Sequence, residues 1–166
     1  MSVWLKRYVE THLGEPVWGA YALSAFWLGN TVSRMIISPI IKIPSLRKIF
    51  FGNFISAVVL IAGLSSGSAR GIAAASLAAG LSSGYTLPLI IAQFFEWHPK
   101  KETAFGITMF YMAIFIGFAL FPPFSGKISD LFGIPWGVAL GAIGSLLAAV
   151  FSGLLNAHLS GNNNKL

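Results

Sequence analysis

The stretch Phe26–Ile40, FWLGNTVSRMIISPI, places an arginine, Arg34, inside a long apolar run and well away from either end. A charged side chain that faces lipid is costly, so a membrane helix turns such a residue toward other helices or a water-filled cavity. The residues around it recur at intervals of three and four and would share one helical face: Ser24, Trp27, Thr31, Arg34 and Ser38. The stretch therefore predicts a membrane helix with one polar stripe, beside which Asn30 lies.

The composition of the whole chain also favours a membrane environment. Of its 166 residues, 55% are hydrophobic and 10% are charged, whereas a soluble domain has about 25% charged residues. The sequence contains no cysteine, so disulfides and thiol chemistry are excluded. The net charge of +6 comes from small basic groups between apolar runs and forms no basic face, so we do not expect a nucleic-acid partner.

Five apolar stretches approach the length of about 20 residues that a helix needs to cross a bilayer. They lie at about 18–41, 49–66, 71–94, 104–121 and 136–156. We therefore predict an all-α, polytopic protein of the plasma or inner membrane, with one membrane domain over residues 1–166. Residues 1–17 would form an external segment and residues 157–166 a cytoplasmic tail.

The distribution of basic residues orients these spans. Because the connections are short, the spans alternate in direction, and the loops Lys42–Lys48 and His98–Lys101 fall on the same side as the C-terminal tail. Arg34 apart, that side carries six basic residues and the other side carries four. Cytoplasmic loops carry the excess of lysine and arginine, so the sequence predicts that the first side is cytoplasmic.

The position of Arg34 in the sequence fits two roles. It lies seven residues before the end of its span, which is roughly 10 Å along a helix, and a long side chain can reach an interface by snorkelling. It would then be a structural anchor. In the other interpretation it faces protein in a gate or solute path, and donates hydrogen bonds to backbone carbonyls or a polar group near the cytoplasmic end of a neighbouring span. A carboxylate partner would have to be Glu96, Glu102 or a residue of another polypeptide segment.

Small residues recur at every fourth position in two of the spans. The third span contains Ser76, Gly80 and Gly84, and the fifth contains Gly137, Gly141, Ser145 and Ala149. Such stripes let helix backbones approach closely in lipid. They predict either close packing within the chain or an interface between copies.

Three segments resemble the major facilitator superfamily. FWLGNTVSRMIISPIIK (Phe26–Lys42) is similar to the second helix of a repeat, where an aromatic pair precedes a G-x-x-x-G-R-like motif, although Ser33 replaces the second glycine. GFALFPPFSGKISDLFG (Gly117–Gly133) resembles the end of the eleventh helix. VWLKRYVETHLGEP (Val3–Pro16) looks like the outer end of helix seven in the fucose-permease-like branch. The resemblance implies that the chain corresponds to helices eight to twelve and works with an N-terminal half or another chain.

The resemblance further implies that the first, third and fourth spans line a solute path. Candidate path residues are Trp27, Asn30, Thr31, Arg34, Tyr85, Gln93 and Tyr111, and the motif residues for a gate or for packing are Gly29, Arg34, Gly117, Pro122, Gly126 and Asp130. Aromatic rings with amide and hydroxyl groups suit a sugar-like or other small polar solute. Trp27 and Tyr85 could equally be buried aromatic residues whose polar ends are satisfied.

No catalytic, metal or cofactor site is predicted. The carboxylates lie in predicted loops or termini and the three histidines are isolated, so we expect neither an enzyme nor a metal centre.

We predict the C-terminal portion of a secondary transporter for a small polar, sugar-like solute, with the lipid bilayer, the solute and another half as partners. The alternative is a non-transporting five-helix membrane protein that acts as an assembly or regulatory partner. Uniport and proton coupling both remain open.

Overall fold

The computed structural model describes residues 2–41, 45–97 and 100–163, and every regular element in these ranges is helical. The helices are α1 (Ser2–His12), α2 (Pro16–Val32), α3 (Ser38–Ile40), α4 (Leu46–Ser65), α5 (Ala69–Gly84), α6 (Thr86–Trp97), α7 (Lys100–Phe132) and α8 (Ile134–Asn163). A π-helical segment, Ser33–Ile37, joins α2 to α3. The prediction of an all-α, polytopic membrane fold is confirmed.

Among the described residues, four helical stretches are long and apolar enough to cross a membrane: Leu46–Ser65, Ala69–Gln93, Ala104–Phe132 and Ile134–His158. They overlap the last four of the five predicted spans. The first predicted span is helical from Pro16 to Ile40, but the π segment limits the regular helix α2 to 17 residues. At 1.5 Å per residue that helix is about 26 Å long, so this span stays a prediction.

The π segment has a local cause in the sequence. Pro39 follows it closely, lacks an N–H, and in a regular α-helix its ring would crowd the carbonyl of Met35. The turn ahead of it is wider than an α-turn, and the Ser38 N–H bonds to the carbonyl of Ser33, five residues back. Arg34 therefore lies in an irregular turn, a kind of turn that is frequent at functional sites.

Helices α2 and α5 touch through their backbones. A Cβ atom added at Gly80 would overlap the Phe26 carbonyl oxygen, and one added at Gly29 would overlap the Leu77 carbonyl oxygen. A Cβ at Gly84 would lie 2.7 Å from the carbonyl oxygen of Asn30. The small residues of the third span therefore pack within the chain, as close helix crossing in membranes requires.

The short helix α1 packs across one end of the bundle. Its Leu5 and Val9 are fully buried in an apolar cluster with residues of α4, α5 and α8. Its Trp4 Nε1 donates a 2.9 Å hydrogen bond to Ser125 Oγ of α7. Near the same end, the Arg70 guanidinium lies 5.5 Å from the ring centre of Trp18. This arrangement accounts for the apolar residues of a segment that is too short to span a bilayer.

The predicted orientation can be tested because the chain has no cysteine. A cysteine in place of Asp130 should react with a membrane-impermeant maleimide added outside intact cells, whereas one in place of Ser45 should react only after permeabilisation. The reverse pattern would show that the orientation is inverted. Lys42 and His98 of the two predicted cytoplasmic loops lie outside the described residues, so Ser45 is the better reporter for that side.

Candidate functional site

An open cleft of about 440 Å³ lies between the π segment, α6 and α7. It is lined by Arg34, Leu87, Pro88, Ile91, Ala92, Phe95 and Tyr111. Two predicted path residues, Arg34 and Tyr111, thus lie in the same concave site although they are far apart in the sequence. The remaining lining is apolar or aromatic, so the guanidinium and the phenol hydroxyl are its polar side-chain groups.

Arg34 is held against the neighbouring helix by a backbone contact. Its Nε donates to the carbonyl oxygen of Gly84 at 3.4 Å. In an uninterrupted helix that carbonyl would accept the N–H of residue 88, but residue 88 is proline and has none. The guanidinium therefore donates to the Gly84 carbonyl, which has no helical donor because Pro88 lacks an N–H. The predicted hydrogen bond from Arg34 to a backbone carbonyl of a neighbouring span is present, but its acceptor, Gly84, lies ten residues before the end of the predicted third span and not near its cytoplasmic end.

The polar stripe of α2 is uncovered by the described helices. Ser24, Trp27, Thr31 and Arg34 are all exposed, and Trp27 is 54% exposed. The Thr31 hydroxyl donates to the Trp27 carbonyl oxygen at 2.9 Å, so it is satisfied within its own helix. Asn30 is half-buried beside the crossing of α2 with α5. The stripe forms an open face that is continuous in sequence with Arg34.

Two other candidates lie on the opposite side of α5 and α6. The Tyr85 hydroxyl donates to the Lys48 carbonyl oxygen of α4 at 3.3 Å. Gln93 lines a separate apolar cavity of about 240 Å³, together with Asn53 and residues of α8. These residues do not line the Arg34 cleft. Tyr85 fits the alternative in which an aromatic residue is buried with its polar end satisfied.

Tyr85 and Gln93 are predicted path residues because of their residue types, and residue type does not indicate which face of a helix a side chain occupies. The cleft side of α6 carries Pro88, Ala92 and Phe95, and at 100° per residue Gln93 points away from them. Pro88 was the available signal, because it lies four residues after Gly84 and leaves that carbonyl for a donor from elsewhere.

The motif residues have different surroundings. Gly29 is buried at the backbone contact with α5. Gly117 has open space around it, Gly126 has only the Trp4 ring, at 4.0 Å, near its added Cβ, and Asp130 is exposed. Pro122 lies inside α7, and its carbonyl accepts a 3.0 Å hydrogen bond from Ser125 Oγ.

The side chains of Glu96 and Glu102, the predicted loop partners of Arg34, lie outside the described part of the chain.

Comparisons with known proteins give a family but no individual relative. Neither the curated proteins nor the solved structures contain a match to this sequence. The model of the Major Facilitator Superfamily matches residues 3–165. Together with the four apolar helices, this match identifies a multi-pass integral membrane protein. Since it covers nearly all of the 166 residues, the chain belongs to the Major Facilitator Superfamily.

Proposed function

We propose that the chain is the C-terminal portion of a secondary transporter that moves a small polar, sugar-like solute past Arg34. Family membership supports secondary transport as the activity. The observation that carries the proposal is the cleft, in which Arg34 and Tyr111 face one concavity between three helical segments. The exposed polar stripe on α2 lies next to it.

The size and lining of the cleft support a small solute. Its volume of about 440 Å³ lies within the range of about 300–1,000 Å³ that is usual for small-molecule sites. Such sites combine mostly apolar and aromatic walls with a few polar groups that orient the ligand. Phe95 and Tyr111 provide rings that can stack on the C–H face of a sugar, and Arg34 provides hydrogen-bond donors.

The uncovered faces support the assignment to helices eight to twelve. Major facilitator transporters bind solute between two halves that each contribute a bundle of helices. Here α2 exposes its polar stripe, and no residue in the most apolar stretch of α7 is buried by the other described helices. In this proposal the other half of the transporter covers both faces and completes the path.

Filling the cleft should block transport. Ala92→Trp places a large ring in the Arg34 cleft, and Ala148→Trp places the same ring in the separate cavity beside Gln93. We expect the first variant to lose at least 90% of the counterflow of a labelled monosaccharide in vesicles containing the whole transporter, as a blocked site would require. The second variant should retain most of it at equal abundance.

Unchanged counterflow in Ala92→Trp at normal abundance would show that the cleft is not on the solute path. If the wild-type protein moves none of a panel of sugars, polyols and sugar acids across the vesicle membrane, transport itself is contradicted. That result would favour the alternative, a non-transporting assembly or regulatory partner.

A further inference from the structure

We propose that the solute carries a carboxylate that pairs with Arg34 in the cleft. This inference rests on the proposed transport function and narrows the solute from a neutral sugar to a small polyhydroxylated acid. Uronic and aldonic acids are the class that combines a carboxylate with several hydroxyl groups.

The first argument concerns charge. Arg34 carries a positively charged guanidinium, and a charge at membrane depth needs a partner. No acidic residue occurs in residues 16–94 or 104–121; of the helices around the cleft, α6 carries Glu96 near its end, and α7 carries Glu102 in its first turn and Asp130 near its end. The five carboxylates of the chain all lie elsewhere: Glu10, Glu15, Glu96, Glu102 and Asp130. Among the side chains that the structure describes, none supplies a counter-charge to Arg34.

The second argument concerns hydrogen bonds. The guanidinium has five N–H donors, and its bond from Nε to the Gly84 carbonyl is 3.4 Å long, beyond the usual range of about 2.7–3.2 Å. Among the described residues, no other acceptor contacts Arg34. Both terminal nitrogens are thus available, and their planar edge matches the two oxygens of a carboxylate.

The third argument concerns the rest of the lining. Tyr111, on α7, provides a hydroxyl that can donate to or accept from a solute hydroxyl. Leu87, Ile91 and Phe95 provide apolar and aromatic walls, which lower the local dielectric and strengthen a charged pair. A neutral sugar in this cleft would leave the guanidinium charge uncompensated, whereas a carboxylate would neutralise it.

Matched solutes provide the first test. The experiment compares glucuronate with glucose, and gluconate with sorbitol, as inhibitors of the counterflow of the labelled monosaccharide by the whole transporter. We expect each acid to inhibit at a concentration at least about tenfold below that of its neutral partner, as one charged pair would require. Arg34→Gln should abolish this preference and Arg34→Lys should keep part of it. Equal inhibition by acid and neutral partner, or a preference that survives in Arg34→Gln, would overturn the inference while leaving transport of a polar solute intact.

A second test does not depend on which acid is chosen. Ala92 lines the same cleft as Arg34, so Ala92→Asp would supply a carboxylate from the protein itself. We expect this variant to have a higher melting temperature than Ala92→Asn, which has nearly the same shape without the charge. Acid uptake should be lost in Ala92→Asp. If Arg34 already pairs with a carboxylate from another segment, the added acid would be surplus and would lower the melting temperature, which would overturn the inference.

Discussion

Gly80→Leu is expected to prevent the folded protein from accumulating. The first side-chain atom at this position would overlap the Phe26 carbonyl oxygen and lie 2.9 Å from the Asn30 nitrogen. Both are backbone atoms of α2, so no side-chain rotation can relieve the overlap and the two helices must separate. Forcing extra atoms into a well-packed core costs about 1–3 kcal/mol or more. Fluorescence-detected size-exclusion chromatography of a tagged protein would measure the amount of folded, monodisperse material.

The matched control for this variant is Gly144→Leu. Gly144 lies in α8, and a Cβ built there has no neighbour within 4 Å. Gly144→Leu also replaces a glycine with leucine in a long apolar helix. Any effect of the added hydrophobicity, or of losing a glycine, would therefore appear in both variants. Normal amounts of folded Gly80→Leu would show that α2 and α5 are not in backbone contact in the membrane.

Arg34→Leu is expected to lower transport severely and to destabilise the protein. The substitution leaves the Gly84 carbonyl without a donor, because Pro88 cannot supply one. An unsatisfied buried acceptor costs about 1–3 kcal/mol. Arg34→Lys should recover only part of the activity, since an ammonium group lacks the planar arrangement of donors. Transport and protein abundance should be measured together in both variants.

A double-mutant cycle separates the structural role of Arg34 from its role in the cleft. Pro88→Ala restores an N–H four residues after Gly84, so the helix can satisfy that carbonyl itself. The stability cost of Arg34→Leu should then be smaller in the Pro88→Ala background than in the wild type, while the loss of transport should persist. Full activity of Arg34→Lys at normal abundance would instead support a simple anchor at the membrane interface.

The sequence was sufficient for the fold class and the family. Length and hydropathy are local properties, so apolar runs such as Leu46–Ser65 and Ile134–His158 are visible without any tertiary information. The superfamily resemblance is confirmed by the family match. The fucose-permease-like branch and the correspondence to helices eight to twelve stay predictions, because neither a curated protein nor a solved structure was matched.

The membership of the site was harder to predict. Which side of a helix faces a cleft depends on its neighbours, so residue type alone grouped Gln93 with Arg34 although the two line different cavities. Tyr85 stays a predicted path residue, although its hydroxyl reaches α4 and does not line the Arg34 cleft. The role of Arg34 as a site residue was easier to predict, because a charge within an apolar run requires a partner whatever the tertiary structure is.

The glycine contact also determines how the cleft can deform. Backbones that touch at Gly29 and Gly80 cannot slide along each other, because a shift of one residue would bring Leu28 or Leu81 into the space of a glycine. Arg34 continues from this contact and is therefore carried on a stiff wall. Tyr111 lies on α7, whose most apolar stretch has no buried residue. Within this chain the two walls of the cleft thus differ: backbone contact with α5 fixes the position of α2, whereas the other described helices do not hold α7 through its most apolar stretch, so the half that is proposed to cover α7 would set how far that wall can move.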